Sequence, residues 1–393
     1  MGLLPSEEEL FLPVYKRFPA MIDHGRDVHL YDVEGKKYLD FLSGIAVSAL
    51  GHNHPDVVEA LKKQLERNLH LSNYFIQDIQ LQLASKLLSQ TPYDKLFFAN
   101  SGTEAIEGLI KLARKWGGKK GKKKIIAFEG GFHGRTLGAV SITGQGKYRD
   151  NFEPLLPGVE IVPFNDVTGF KKALSPDVAA VFFEGITGEG GIRPVSPGLL
   201  QALKEGRDTY NYLIFVDEIQ TGVGRTGRFY YSEKFPFIPD ALATAKGLGG
   251  GLPLAAFLVA GHLSHVFDPG EHGTTYGGNP LACASGLATV TAVAKTSFLQ
   301  QVTENGKYLM ALLRDIAGRF PQLCGEVRGE GLMCGMDVRR NGPEIMRAAF
   351  EKGLIFNIAG GGATLRFLPP LIVEKAHIDE AMEKLTDTLK TFQ

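Results

Sequence analysis

Short runs of consecutive apolar residues alternate with amphipathic stretches between about residues 95 and 260. Hydrophobicity that is continuous within each run predicts strands buried on both faces, as in a mostly parallel sheet enclosed by helices. The pattern therefore predicts an α/β fold. The runs are Leu96–Phe98, Ile125–Phe128, Val159–Val162, Val178–Phe183, Leu213–Val216 and Leu254–Val259.

The two ends of the chain follow a different, mixed pattern. Near the N-terminus, Val28–Tyr31 and Lys37–Asp40 flank the turn Glu34-Gly35, which predicts a hairpin. The later segments are two helices over Asn279–Lys295 and Leu299–Phe320, a strand-like stretch Val327–Val338, a helix Pro343–Lys352, a proline-broken segment Thr364–Val373 and a closing helix from Glu374. We expect a large domain over 51–285, a smaller α+β domain over 286–393, and a segment 1–50 that joins the smaller one.

Composition narrows the class of protein. The 393 residues are 44% hydrophobic, which is ample for more than one core. Forty-three basic residues balance forty-three acidic ones, so no overall field favours nucleic acid or an anionic membrane. Three cysteines without a CxxC pair and the lack of a long apolar run predict a soluble, cytoplasmic protein with reduced thiols.

Lys246 lies between a small apolar run and the glycine-rich stretch Gly247–Gly251, about thirty residues after Asp217. A lysine in a dry pocket loses its proton more easily and can form a Schiff base with a carbonyl compound. Asp217 follows a buried run, so it should emerge at the carboxyl end of a strand, where open α/β sheets bind ligands. A carboxylate there would keep a pyridine nitrogen protonated. The alternatives are a surface lysine and a turn-capping aspartate.

The segment Asn100–Glu104 runs from a predicted strand into an amphipathic helix. Ser101 and Glu104 have the spacing of a capping box, which marks the start of the helix. Free N–H groups, the positive end of the helix dipole and the hydroxyls of Ser101 and Thr103 together favour phosphate binding. A plain helix cap stays possible on this segment alone.

Arg366 interrupts an otherwise apolar segment, and Glu189 lies in the glycine-rich stretch Gly188–Gly191. A buried guanidinium requires a carboxylate partner, from the protein or from a substrate. The two residues are thus candidates for a structural ion pair or for substrate binding. No metal site is expected, because the histidines around Pro269 lack helical ligand spacing, and the glycines of Gly222–Gly227 open no helix that would bind a dinucleotide.

Many motifs, in order, resemble the class III pyridoxal-phosphate aminotransferases over nearly the whole chain, and most closely the members that act on acetylornithine. The matching motifs are Gly51-His-Asn-His-Pro55, Asn100-Ser-Gly-Thr-Glu-Ala105, Phe132-His-Gly-Arg135, Asp217-Glu-Ile-Gln220, Gly222-Val-Gly-Arg-Thr-Gly227, Lys246-Gly-Leu-Gly-Gly-Gly251 and His272-Gly-Thr-Thr-Tyr-Gly-Gly-Asn-Pro280. The resemblance implies a fold-type I transferase with pyridoxal 5'-phosphate as cofactor.

The resemblance also implies roles for individual residues. Lys246 would attach to the cofactor and shuttle a proton, and Asp217 would pair with the pyridinium nitrogen. The other cofactor-binding residues would be Ser101, Gly102 and Thr103 at the phosphate, Phe132 on the ring, Gln220 at the ring hydroxyl and Thr275 at the phosphate of the other subunit. The active site would then be shared between the two chains of a homodimer.

Substrate binding would involve Arg135, Thr274, Glu189 and Arg366. In the implied scheme, Arg135 holds the α-carboxylate of the amine donor while Glu189 occupies Arg366. Glu189 then releases Arg366 to bind 2-oxoglutarate. The implied reaction moves the δ-amino group of N2-acetyl-L-ornithine to 2-oxoglutarate, giving N-acetylglutamate 5-semialdehyde and glutamate in arginine biosynthesis.

Three departures from the family pattern, at Gly185, Thr187 and Ile106, leave their effects on catalysis open. Loss of a proline at 185 is expected to loosen the backbone near Glu189. Ornithine, succinylornithine and 4-aminobutyrate stay open as donors, because acyl-group choice depends on pocket shape. A non-catalytic cofactor-binding module and a nicotinamide dehydrogenase are the alternatives from other classes.

Overall fold

The structure, a computed structural model, describes residues 7–393. Met1–Ser6 of the predicted N-terminal segment lie outside the described residues. The helices are Glu7–Leu10, Ser43–Ala46, Pro55–Leu65, Asp78–Leu88, Gly102–Gly118, Leu137–Ser141, Gly146–Arg149, Val167–Ala173, Pro197–Tyr210, Pro280–Val293, Thr296–Arg319, Gly342–Glu351 and Lys375–Leu389. Short 3-10 helices are Tyr231–Lys234, Lys246–Gly249, Gly261–Leu263, Gly360–Gly362 and Lys390–Phe392.

A seven-stranded sheet forms the centre of the large unit. From one edge to the other, its strands are Lys95–Ala99, Ala255–Val259, Ala241–Thr244, Leu213–Asp217, Val178–Glu184, Lys124–Phe128 and Val159–Val162. Only Ala255–Val259 runs antiparallel to its neighbours in this sheet. The predicted α/β fold with a mostly parallel sheet is confirmed.

The reason for the continuous apolar runs is visible in Val178–Glu184, which is buried at every position. Ala180 and Phe182 belong to one hydrophobic core, whereas Val181 and Phe183 belong to the other. Because successive side chains of a strand point to opposite faces, a strand between two helical layers needs an apolar residue at every step. The carboxyl ends of these strands form the edge where the site lies.

Besides the central sheet and the two-stranded pair Ile186–Thr187 and Arg193–Pro194, the described residues contain two four-stranded sheets. Cys324–Glu330, Met333–Val338, Thr364–Phe367 and Asn357–Ala359 form an antiparallel sheet, and the other sheet consists of Ile22–Arg26, His29–Asp32, Lys37–Asp40 and Leu354–Ile355. The predicted single stretch Val327–Val338 is thus two strands, because the chain turns at Gly331, which has a φ of 56°.

Lys37–Asp40 pairs in parallel with Leu354–Ile355, which supports the expectation that the N-terminal segment joins the C-terminal unit. The domain boundaries 1–50, 51–285 and 286–393 stay a prediction. Among the described residues, no single helix has the length and apolar character needed to cross a membrane. Pro280–Val293 and Thr296–Arg319 meet that criterion only as a pair, across a bend of 72°.

Candidate active site

A cavity of about 460 Å³ lies at the carboxyl edge of the central sheet. Asp217 is the last residue of its strand, and Lys246 follows the neighbouring strand Ala241–Thr244, so sheet topology alone brings the two together. The other predicted residues that line the cavity are Ser101, Gly102, Thr103, Phe132, Arg135, Glu189 and Gln220. Residues from five separate segments of the sequence therefore meet in one pocket.

Lys246 begins a short 3-10 helix and has a φ of 45°, an uncommon conformation for a residue other than glycine. Burial lowers the pKa of its ammonium group. The positive charge of Arg366 lowers the pKa further, and the charges of Asp217 and Glu189 act against this. Lowering the pKa increases the fraction of neutral amine, which is the nucleophilic form.

The carboxylate of Asp217 is held from two sides. Its Oδ2 atom lies 2.8 Å from Nδ1 of His133, and its Oδ1 atom accepts a hydrogen bond of 3.0 Å from the backbone N–H of Ile219. Burial disfavours a charged His133, but the hydrogen bond and charge of Asp217 outweigh burial and raise the pKa of the imidazole. His133 and the N–H of Ile219 therefore hold the Asp217 carboxylate in a fixed orientation.

Sequence reasoning quoted His133 within a motif but gave it no role. The signal in the sequence for a role of His133 was its position directly after Phe132. Its contact partner, Asp217, lies 84 positions further along the chain. The contact depends on how the loop after Lys124–Phe128 packs against the end of Leu213–Asp217. Sequence spacing does not encode that packing.

Glu184 is a second buried acid that sequence reasoning left without a role. It lines the cavity at the end of Val178–Glu184 and accepts hydrogen bonds of 3.0 Å from the backbone N–H groups of Phe132 and Gly188. Burial and the charge of Asp217 raise the pKa of Glu184 to about 7. One carboxyl group thus connects the segment of Phe132 to the loop of Glu189.

The helix Gly102–Gly118 points its N-terminus into the cavity. Ser101 caps it by accepting a hydrogen bond of 3.4 Å from the N–H of Glu104. The Glu104 side chain returns to the N–H of Asn100 at 2.7 Å, one residue earlier than a standard capping box. The free N–H groups of the first turn are left for a ligand.

Arg135 and Phe132 form one wall of the cavity. The guanidinium carbon of Arg135 lies 5.5 Å from the centre of the Phe132 ring and 4.1 Å from the centre of the Tyr148 ring. Tyr148, which sequence reasoning missed, thereby supports an exposed arginine by a cation–π contact. Tyr148 was missed because it lies in the short helix Gly146–Arg149, outside the motifs that indicated the site.

Arg366 is buried on the strand Thr364–Phe367 and is only 1% exposed. Its guanidinium donates to Glu189 Oε1 at 2.6 Å, to Asn357 Oδ1 at 2.9 Å and to Gln220 Oε1 at 3.4 Å. Burial opposes ionisation of Glu189, but the charge of Arg366 outweighs it and lowers the pKa of that carboxyl group. The two candidates therefore form an ion pair beside the cavity that contains Lys246.

The structure places Thr274 and Thr275 apart from this cavity. Both line a second cavity of about 910 Å³. Thr274 still reaches the edge of the first cavity, since its hydroxyl accepts a hydrogen bond of 3.2 Å from Asn100. Thr275 is exposed and contributes nothing to the first cavity within a single chain.

Comparisons with known proteins agree with this geometry. Residues 12–389 match the family described as aminotransferase class-III. The chain is 46% identical to the acetylornithine aminotransferase of Aquifex aeolicus over 378 residues, which cover 95% of this chain and 98% of that relative.

Two solved structures show the same architecture. N-acetylornithine aminotransferase from Stenotrophomonas maltophilia has a TM-score of 0.84 at 32% identity, with 96% of this chain and 97% of that one covered. Ornithine aminotransferase from Toxoplasma gondii, described with partial occupancy of PLP at its active site, has a TM-score of 0.92 at 31% identity, covering 98% and 93%.

Proposed function

Because the chain belongs to the class-III aminotransferase family and is a pyridoxal-phosphate-dependent transaminase, we propose that it transfers the δ-amino group of N2-acetyl-L-ornithine to 2-oxoglutarate. The products are N-acetylglutamate 5-semialdehyde and glutamate, a step of arginine biosynthesis. The observation that carries the proposal is the ion pair Glu189–Arg366, 2.6 Å between Oε1 and Nη1, beside the cavity that contains Lys246. Such a pair is suited to a site that alternates between two substrates with different carboxylate positions.

The residues of the cavity fit pyridoxal phosphate. The helix start at Gly102 suits a phosphate group, and a Cβ atom at Gly102 would lie 2.7 Å from Ile219 Cδ1, so a side chain there would require Ile219 to move. Asp217 supplies a fixed carboxylate for a protonated pyridine nitrogen, and Lys246 supplies an amine of lowered pKa for an aldehyde. When bound, the cofactor accepts the amino group and acts as an electron sink.

Lys246 would hold the cofactor and move a proton through its amine, which a lowered pKa suits. Asp217 would pair with the pyridine nitrogen, and His133 holds the Asp217 carboxylate in place through the contact of 2.8 Å. Phe132 would pack on the ring, and Gln220 would contact its hydroxyl. Support for these roles is that all five side chains line the same cavity.

The phosphate is bound by Ser101, Gly102 and Thr103 of one chain and by Thr275 of the partner chain. The proposal of a homodimer is supported by exposed apolar residues near the cavity that contains Thr275. Tyr74, Phe75 and Ile76 are consecutive and 96%, 64% and 88% exposed, and Tyr74 lines that cavity. A contiguous exposed apolar patch is typical of a protein–protein interface.

Arg135 binds the α-carboxylate of the amine donor, while Glu189 neutralises Arg366. When 2-oxoglutarate binds, Glu189 turns away and Arg366 takes the α-carboxylate, with Arg135 at the distal one. Thr274 lies near the substrate, because its hydroxyl accepts a hydrogen bond from Asn100, which lines the cavity. Each arginine thereby offers a planar group of donors that matches a carboxylate.

A cytoplasmic location is proposed as well. Cys283, Cys324 and Cys334 all have free, buried thiols, as expected of a protein from a reducing compartment.

The identity of the donor is tested with purified enzyme and 2-oxoglutarate. We expect N2-acetylornithine to give the highest kcat/KM in a panel that includes ornithine, succinylornithine and 4-aminobutyrate. Ornithine is the second candidate, because an ornithine aminotransferase shares the fold at a TM-score of 0.92. A higher kcat/KM with ornithine would refute the acetylornithine assignment and leave the transaminase chemistry intact.

A further inference from the structure

The loop that carries Glu189 is the tip of a small hairpin. Ile186–Thr187 and Arg193–Pro194 pair as antiparallel strands, and residues 188–192 connect them. We call Gly188–Gly191 the gate loop. The N–H of Ile192 donates to the carbonyl of Thr187 at 2.9 Å, which closes the loop, and the N–H of Val195 donates to the carbonyl of Gly185 at 2.9 Å. The expected loosening by Gly185 stays a prediction.

Arg328 binds the far end of the gate loop. It lies on the strand Cys324–Glu330 of the C-terminal unit and is buried, at 7% exposure. Its Nε and Nη2 atoms donate to the carbonyl oxygen of Gly191 at 2.9 and 2.6 Å. No sequence motif connects these residues, which are 137 positions apart.

The same guanidinium is fixed on its other side. Asp337 accepts from Nη1 at 2.6 Å and from Nη2 at 2.7 Å, and Thr364 accepts from Nη2 at 3.2 Å. Thr364 is two residues before Arg366 on one strand, so both side chains point to the same face. Arg328 therefore connects the gate loop to the strand that carries the partner of Glu189.

Two further contacts restrain the loop. Its first residue, Gly188, donates to Glu184, and the carbonyl of Glu189 accepts from the N–H of Gly360 at 2.9 Å. With the backbone held at Gly188, Glu189 and Gly191, the Glu189 side chain is the part left to rotate. A fixed backbone sets the distance over which Glu189 reaches Arg366.

We propose that Arg328 is a positioning residue for the gate: by holding Gly191, it keeps Glu189 on Arg366 while the amine donor binds. The inference rests on the proposed function and adds a residue that touches neither substrate nor cofactor. Loosening the loop frees Arg366 to attract the wrong carboxylate. Because glutamate binds Arg366 through its α-carboxylate, the kcat/KM for glutamate then rises relative to that for N2-acetylornithine.

The test is a double-mutant cycle on the cofactor-loaded enzyme. Single-turnover kcat/KM values are measured for N2-acetylornithine and for glutamate in the parent, Arg328→Lys, Glu189→Ala and the double variant. Lysine keeps the charge beside Asp337 but loses the paired donors to Gly191. We expect Arg328→Lys to lower the ratio of acetylornithine to glutamate about tenfold, the scale of a lost hydrogen bond to a charged group.

Non-additivity separates positioning from general stability. If Arg328 acts through Glu189, the double variant should have the same ratio as Glu189→Ala alone. Equal shifts in both backgrounds, or an equal loss with both amines, would overturn the role of Arg328. An unchanged ratio in Glu189→Ala would instead overturn the proposed gate itself, so the two failures are distinguishable.

A readout without turnover and a second variant complete the design. Binding of maleate, a dicarboxylate without an amino or keto group, should tighten in Arg328→Lys because Arg366 is released more easily; unchanged or weaker binding contradicts the inference.

Thr364→Val removes one bond to the Arg328 guanidinium at similar volume and should shift the ratio of acetylornithine to glutamate in the same direction, less strongly. Arg207→Lys is the matched control, since Arg207 also joins a backbone carbonyl, of Ile238, to an aspartate, Asp240, away from the gate.

Discussion

Replacing Arg366 with methionine tests the two-carboxylate scheme most directly. The side chain is 1% exposed and donates to Glu189, Asn357 and Gln220. Methionine fills similar space but leaves the Glu189 carboxylate without its cation. Breaking a buried pair costs about 3–5 kcal/mol of folding free energy. Because Glu189 is 20% exposed at the cavity and can hydrate, we expect the lower end, about 3 kcal/mol.

The effect on the acceptor is a difference between two interactions. Truncating one partner of a buried charge pair costs about 2–5 kcal/mol of binding free energy. In the proposed scheme, however, 2-oxoglutarate must first displace Glu189 from Arg366 in the parent enzyme, and this offsets part of the binding free energy. We therefore expect a net loss of about 2 kcal/mol, or an increase of about thirtyfold in the KM for 2-oxoglutarate. The KM for N2-acetylornithine should change much less, because in the proposed scheme Arg135 binds its carboxylate.

Steady-state kinetics with both substrates varied measures the two KM values, and urea unfolding measures stability. Arg225→Met is the control, because Arg225 is equally buried but donates only to the backbone carbonyls of Leu332 and Pro369. It should affect both KM values alike. Equal increases for donor and acceptor in Arg366→Met would refute the reasoning.

Three further outcomes are expected. Lys246→Ala should abolish turnover and the visible absorption of the cofactor-loaded protein; retention of both would show that another residue holds the cofactor. In the folded protein, Glu184 keeps its proton up to about pH 7. An unfolded glutamate releases it near its ordinary pKa of 4.5. The contribution of Glu184 to the free energy of unfolding therefore falls as pH rises through that interval. The stability of Glu184→Gln relative to the parent should thus increase from about pH 5 to about pH 8, by on the order of 3 kcal/mol at most, and a flat difference contradicts the raised pKa. Thr275→Val should weaken pyridoxal-phosphate binding about tenfold, and we expect the parent enzyme to elute from gel filtration at twice 42.8 kDa; a monomer of full affinity rules out the shared site.

The α/β fold with its mostly parallel sheet and most of the candidate site residues could be predicted from sequence patterns. An apolar run such as Val178–Phe183 predicts a strand that is buried on both faces, because each residue of such a strand packs into one of two cores. Asp217 and Lys246 were recognisable because each follows a strand, and parallel strands end at one edge of the sheet. The start of Gly102–Gly118 was recognisable from Ser101 and Glu104.

Which polar groups contact one another became known only from the folded structure. His133 reaches Asp217 across 84 positions, and Glu189 reaches Arg366 across 177. Local periodicity determines which face of an element is buried, but not which buried polar groups become neighbours, since that depends on how whole elements pack. For the same reason, sequence reasoning assigned no role to Arg328, which lies in a predicted strand. The role became visible only when the fold placed its guanidinium next to the carbonyl of Gly191.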